Sequence, residues 1–308
     1  MVVVLVSQLP PQAPMTQIKS VQSDVHFRRA RPLLGTIVDI RVDDLDAATA
    51  NAAINRGFAA VAEVHRLMSF HEAASDVSRL NREAAQRSVA VDALTFEVLR
   101  CAQEMSEASD GLFDITVAHT LSAWGFLPLP DGASPDPHTT WRDIVLRDGH
   151  VRFLRPLWID LGGIAKGFAV DRAVAAMNLD STIQQCVNAG GDLRVAGPRT
   201  ERIHLQVPAN ASMAPVIELE NGSLASSSGQ EHSRMYEGRL VGPHVHTPDG
   251  TPTGLDTFVS VAAPDCIVAD ALTKVALACG KKSEPLLRQY GATAYIYDGD
   301  WTVVGASA

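Results

Sequence analysis

Residues 158–171 read Trp158-Ile159-Asp160-Leu161-Gly162-Gly163-Ile164-Ala165-Lys166-Gly167-Phe168-Ala169-Val170-Asp171, and the 308-residue chain is organised around them. The stretch predicts a short apolar strand, a turn through paired glycines and then a helix. Glycine allows close approach of backbone to a ligand and takes φ > 0 without penalty. A helix that begins just after such a turn presents unpaired N–H groups, a seat for an anion. Lys166 adds a mobile positive charge, and Asp160 a carboxylate at the strand's end. The spacing is neither GxGxxG nor a P-loop. Taken alone, the stretch fits a phosphate-bearing ligand or a plain strand-to-helix turn with a surface lysine.

Charged residues at 20% and hydrophobic residues at 46% are ordinary globular values, and the length permits a substantial core. A net charge of -9 argues against a nucleic-acid binder, which would show a basic face. The four cysteines, Cys101, Cys186, Cys266 and Cys279, form no CxxC pair and sit in apolar segments, so buried free thiols are expected. No run approaches the ~20 apolar residues of a membrane span. The apolar run Val2–Val6 is too short for a signal sequence and leads into prolines. Met15 is an alternative start, and the expected location is the cytoplasm. Residues 1–25 read as a loose tail, leaving 26–308 as one domain.

Along the chain, Phe27 to Arg41 predicts a strand entry with a glycine bulge at Gly35. Asp46 caps a helix to about Met68, with Ile54, Phe58, Val61 and Met68 on one face. Asp92 caps another, with Leu94, Val98, Cys101 and Met105 in register. Residues 127–140 form a surface loop, and Trp141 to Phe153 an edge hairpin around Asp148-Gly149. The central helix stops near Asn178. Ile183–Val187 is a strand before the Asn188-Ala189-Gly190-Gly191-Asp192 turn, and strands near 203–207 and 216–219 continue the sheet. Phe258–Ala262 is a strand, residues 268–279 a helix ended by Gly280, and Thr293–Val304 a closing hairpin. Strands and helices mix without βαβ repetition, so the class is α+β.

The central stretch resembles the Asp-Leu-Gly-Gly-Ile-Ala-Lys-Gly-Tyr-Ala-x-Asp signature of the ApbE family, the FAD:protein FMN transferases. Further motifs follow in order over about residues 27–305. Leu34-Gly35-Thr36 resembles a Met-Gly-Thr element that lies against the flavin. The run from Met68 to Asn81 resembles Met-Ser-x-Tyr…Ser-x-x-Ser-x-Leu-Asn, with His71 in the place of a Tyr that contacts the cofactor. Gly111-Leu112-Phe113-Asp114-Ile115-Thr116 followed by Trp124-Gly125-Phe126 resembles a flavin-side loop. There Asp114 can make an Asx turn with Thr116, and Trp124 is either core or a ring-stacking wall. Residues 224–229, including Ser228, resemble an Ala-Thr-Ser-Gly element; residues 242–252, including His244, match more loosely, and Thr247 stands where Asp is expected.

This resemblance implies a two-lobed, T-fold-related α+β domain with mixed sheets and FAD in a cleft between the lobes. It implies transfer of FMN from FAD to a Ser or Thr hydroxyl of an acceptor protein, with release of AMP. Asp160 and Lys166 would position FAD. Magnesium would be held by the Gly163 carbonyl, by Asp270 and by the residue four positions later, normally Thr. Here that residue is Lys274, and Thr273 lies about 100° round the helix. An ammonium cannot ligate a metal, and Asp270 and Lys274 can pair as i, i+4 neighbours. Three readings stay open: Lys274 replaces magnesium at the phosphates, the site binds FAD without transferring it, or a metal shifts to Thr273. An FAD pyrophosphatase is a further alternative. Asp270 or His244 would accept the proton of the incoming hydroxyl.

Overall fold

The computed structural model describes residues 26–130, 134–205, 215–229 and 232–305, so the tail expected over 1–25 lies outside the described residues. In chain order the elements are β1 (His26–Leu33), β2 (Thr36–Asp43), α1 (Ala47–Met68), α2 (Asp76–Glu83), β3 (Val89–Ala90), α3 (Ala93–Ala108) and α4 (Ala118–Ala123). They continue with β4 (Ile144–Arg147), β5 (His150–Phe153), α5 (Ala165–Met177), β6 (Gln185–Ala189), β7 (Asp192–Ala196), β8 (Glu201–His204) and β9 (Val216–Leu219). The last are β10 (Ser223–Ser228), β11 (Arg234–Tyr236), β12 (Arg239–Val241), β13 (Val245–His246), β14 (Thr251–Pro252), β15 (Phe258–Ala263), α6 (Cys266–Cys279), α7 (Glu284–Gln289), β16 (Thr293–Tyr297) and β17 (Trp301–Gly305).

An eight-stranded sheet in the order β1-β2-β6-β7-β10-β15-β16-β17 carries the α+β fold. Mixed sheets were expected, but every described ladder is antiparallel, both in the hairpins β1–β2, β6–β7 and β16–β17 and in the pairs joined by longer connections. Period-two alternation divides its two faces. Val187, Ala189, Ala225, Val259 and Val261 join the large core under α1, α5 and α6. Leu193, Val195, Leu224 and Phe258 point the other way, onto a smaller core with Ile217 and Leu219 of β9. The strands expected to continue the main sheet near 203–207 and 216–219 therefore form, in their described residues, a separate ribbon, β8–β9, packed on its back. Val151 and Phe153 of the three-stranded β3-β5-β4 sheet share the large core with Val38 and Val259, so any division into lobes is bridged by one continuous interior.

Local chemistry explains the elements. Leu34 (φ 55°) and Gly35 (φ 70°) make the two-residue turn of the β1–β2 hairpin, where a bulge was expected. Asp46 caps α1 by accepting from the Ala48 and Thr49 N–H groups at 3.0 Å each. Ser75 caps α2, which its polar sequence hid; the buried Asp76 anchors it by accepting from Asp92 N–H and the Thr95 hydroxyl, each at 2.8 Å. Helix α5 meets α6 with no room to spare, since a Cβ on Gly167 would lie 2.2 Å from the Cys266 carbonyl oxygen. Asp171, the last residue of the opening stretch, accepts from the Cys266 and Ile267 N–H groups at 3.0 and 2.9 Å and so caps α6. The cysteines are all free, but only Cys266 is fully buried.

The strand expected at Trp158–Leu161 does not form. The side-chain amide of Asn81 takes the place of a neighbouring strand, donating to the Ile159 carbonyl at 3.0 Å and accepting from its N–H at 2.8 Å. Asp160 N–H donates to the Ile115 carbonyl at 2.9 Å. Asn81→Leu would leave both polar groups of buried Ile159 without a partner, at about 1–3 kcal/mol each before relaxation. We expect the variant to lose about 2–3 kcal/mol in urea unfolding; a loss within error of zero would show that the clamp is dispensable.

Candidate active site

The β7 strand and α5 helix set the electrostatics of the site. Leu193 and Val195 face the back of the sheet, so Asp192 and Arg194 face the helices, where they pair with Lys166 and Asp171 of α5. The pairing corrects the expectation of a mobile Lys166 charge. Asp192 has no exposed surface; besides Lys166 it accepts from Ser226 N–H at 3.3 Å. Burial disfavours a charge on Lys166, but the carboxylates of Asp270 and Asp192 outweigh it and hold its pKa above the ordinary value.

One turn along the interface, Asp270 of α6 is fully buried. Its Oδ2 accepts from Gly167 N–H at 3.1 Å, and its Oδ1 lies 2.5 Å from the Lys274 ammonium. Burial pushes the Asp270 carboxyl up, but Lys166 and Lys274 overcome that and keep it below its usual range. Lys274 Nζ also donates to the Ser227 and Thr273 hydroxyls at 3.0 Å each and to the Asp270 carbonyl at 3.2 Å. Its aliphatic stem runs past Gly163: a Cβ there would stand 3.4 Å from Lys274 Cε and 3.6 Å from Phe113 Cε2.

These groups open onto a cavity of about 580 Å³. Its polar lining is Gly162, Gly163, Lys166, Lys274, Ser226, Ser227, Ser228 and His244. Its apolar lining comes from Leu112, Phe113, Ile115, Val117, Leu121, Phe126 and Leu127. Arg234 reaches the lining with its guanidinium 4.2 Å above the Phe126 ring and donates to the Gly125 carbonyl at 2.6 Å. Asp114 and Asp160 also line it, as organisers of turns. Asp114 accepts from Thr116 N–H and Oγ1 and, at 3.0 Å, from Trp141 N–H. Asp160 accepts from Gly162 N–H at 3.1 Å. Burial raises the pKa of both. His244 is hydrogen-bonded by the Ser228 backbone; burial and the Lys274 charge pull its pKa down to about 3, so its ring is neutral at pH 7.

Of the residues singled out from sequence, Leu112, Phe113, Asp114, Asp160, Gly163, Lys166, Ser228, His244 and Lys274 share this one cavity, with Asp270 directly behind it. Leu34, Gly35, Thr36, His71 and Trp124 do not line it. Thr36 packs under the β6–β7 turn, where a Cβ on Gly190 would fall 2.4 Å from its Oγ1. His71 is exposed and lies near Asp160. Trp124 is buried in a small apolar cluster with Leu121 and Val241. Sequence reasoning missed Asp192 as the partner of Lys166, Asn81 as the clamp on Ile159, and Arg234. Asn81 and Asp192 were inside quoted motifs; Arg234 carried no sequence signal. Thr247, standing where Asp was expected, lines the cavity and donates to the Gly111 carbonyl.

With Lys274 in place, the oxygen donors leave no room for a divalent ion. Among the described residues no cluster of three or more His, Cys, Asp or Glu side chains could hold one. Asp270 Oδ1 and the Ser227 and Thr273 hydroxyls all already face the Lys274 ammonium. No helix among the described residues is long and apolar enough to cross a membrane.

Known proteins share this sequence and this fold. The chain is 25% identical over 273 residues to the FAD:protein FMN transferase of Vibrio cholerae, covering 82% of this chain and 80% of that one. It is 26% identical over 299 residues to the FAD:protein FMN transferase of Treponema pallidum, with 86% and 82% covered. The crystal structure of the ApbE protein from Thermotoga maritima superposes with a TM-score of 0.79 at 25% identity, covering 91% of this chain and 96% of that one. The apo flavinyl transferase ApbE of Pseudomonas stutzeri, at 20% identity, has the same fold with a TM-score of 0.77 and 92% and 96% covered. The ApbE family model matches residues 34–296, which include every residue lining the cavity and the whole α5–α6 interface. The chain belongs to the ApbE family.

Proposed function

We propose that the chain is an FAD:protein FMN transferase whose residues 26–308 act as one domain. It moves FMN from FAD to a Ser or Thr hydroxyl of an acceptor flavoprotein and releases AMP. The observation that carries this reading is the cavity itself, whose lining combines apolar side chains suited to flat rings with two ammonium groups suited to a diphosphate. In the reaction the acceptor oxygen bonds to the FMN-side phosphorus. The P–O bond to the AMP phosphate breaks, and AMP leaves with the electron pair. Negative charge grows on the bridging oxygen, and fixed positive charge at Lys166 and Lys274 stabilises it. The hydroxyl proton needs an acceptor. Asp270 is committed to Lys274 and Gly167, whereas the neutral His244 ring lines the cavity, so we assign the proton to His244.

Incubating the purified protein with FAD and a flavin-acceptor domain should yield a fluorescent acceptor band on a denaturing gel and an equal amount of AMP. AMP without labelled acceptor would mean hydrolysis instead. Bound FAD with neither product would mean a carrier. Either result would overturn the assignment.

A further inference from the structure

Lys274 sits in a nest of oxygens. Its Nζ lies 2.5 Å from Asp270 Oδ1, 3.0 Å from the Ser227 hydroxyl, 3.0 Å from the Thr273 hydroxyl and 3.2 Å from the Asp270 carbonyl. Carboxylate, hydroxyl and carbonyl oxygens converging on one point are the donors a hard cation takes. An ammonium has three protons to give, one fewer than the oxygens around it. The carboxylate that charges the nest is fully buried, so without a cation there it would face only Lys166, which is already paired with Asp192. An ion ligated by the same oxygens would coincide with Nζ. The nest thus holds either the lysine or a metal.

We propose that Lys274 is a fixed internal cation occupying a divalent-cation nest, so that this chain engages the diphosphate of its flavin dinucleotide without a metal ion, and that shortening the side chain turns the nest into a metal site. The first half rests on the FAD reading above; the second stands on the geometry alone. The ammonium projects from α6 past Gly163 into the cavity lining, with about a fifth of the side chain exposed, so it can meet a phosphate while remaining anchored on Asp270.

Two measurements test this. The first uses no flavin: Mn2+ is titrated into the natural protein and into Lys274→Thr and Lys274→Ala, and free Mn2+ is read by electron paramagnetic resonance. The natural protein should show no specific site, and the variants should gain affinity by about tenfold or more. Circular dichroism checks folding, and Lys274→Gln, nearer in length, serves if the shorter variants do not fold. Folded variants that gain no Mn2+ affinity overturn the nest. The second follows FAD binding by flavin fluorescence with Mg2+ or with EDTA. The natural protein should differ by less than about twofold between the two, whereas Lys274→Thr should weaken by about tenfold in EDTA and recover with Mg2+. Natural protein that loses about tenfold in EDTA overturns the metal-free claim. If the natural protein binds no FAD in either buffer, the functional assignment fails, and the Mn2+ titration still decides the nest.

Discussion

Lys166→Met is expected to lower the unfolding free energy by about 3–5 kcal/mol, the cost of leaving a buried charge without its partner. Asp192 has no exposed surface, and apart from Lys166 its described hydrogen bond is a 3.3 Å contact from Ser226 N–H. Methionine matches the lysine stem in length and removes only the ammonium. Asp270, the other carboxylate acting on Lys166, keeps Lys274 and Gly167 N–H, so the damage centres on Asp192. Adding Asp192→Asn should restore most of the stability, because a neutral amide in that place needs no cation. FAD affinity should fall by about tenfold or more in the single variant and stay low in the double, since the phosphate-facing charge is gone from both. Urea unfolding and flavin fluorescence separate the two effects. A double variant that regains FAD binding would place Lys166 in the fold alone.

That Lys166 of the opening stretch pairs with Asp192 of β7 was only half legible. The helix, the glycine turn and the family motifs could be read because each depends on local rules: apolar spacing, φ > 0 at a turn, a carboxylate before a helix. The partner of Lys166 could not. Which face of β7 Asp192 occupies follows from the alternation of Leu193 and Val195 against the back ribbon, a contact made with residues near 217. The missing strand at Trp158–Leu161 has the same cause. Its apolar sequence asks for backbone partners, and a side-chain amide from 78 positions earlier supplies them. Helix α2 was hidden because two of its three buried residues, Val77 and Leu80, are joined by a buried aspartate instead of a third apolar side chain. The departure at Lys274 was visible from spacing on α6, whereas the oxygens around it come from two separate elements, β10 and α6, and needed the fold.

His244 makes folding stability depend on pH between about 6.5 and 3. Burial and the Lys274 charge, seconded by Lys166 and only partly offset by the hydrogen bond with the Ser228 backbone and by Asp270, lower its pKa from 6.5 to about 3. In that window the unfolded chain holds a proton on this ring that the folded chain refuses, so protons favour unfolding. The contribution is fully present above pH 6.5 and is lost as pH falls toward 3. One whole proton corresponds to about 1.4 kcal/mol per pH unit, and because the ring meets an open cavity about half to all of that is expected. Buried aspartates with raised pKa values, Asp114, Asp160 and Asp171, act in the opposite sense over part of the same range. The comparison is therefore natural protein against His244→Gln, unfolded in urea at steps from pH 7 to pH 4. The difference in stability between the two should shift by about 1–3 kcal/mol across those steps, with the natural protein falling faster on acidification. Parallel curves would mean that the ring takes up its proton as readily inside the cavity as in water, and His244 would then be cationic rather than neutral in mild acid, unable to receive a proton from the acceptor hydroxyl there.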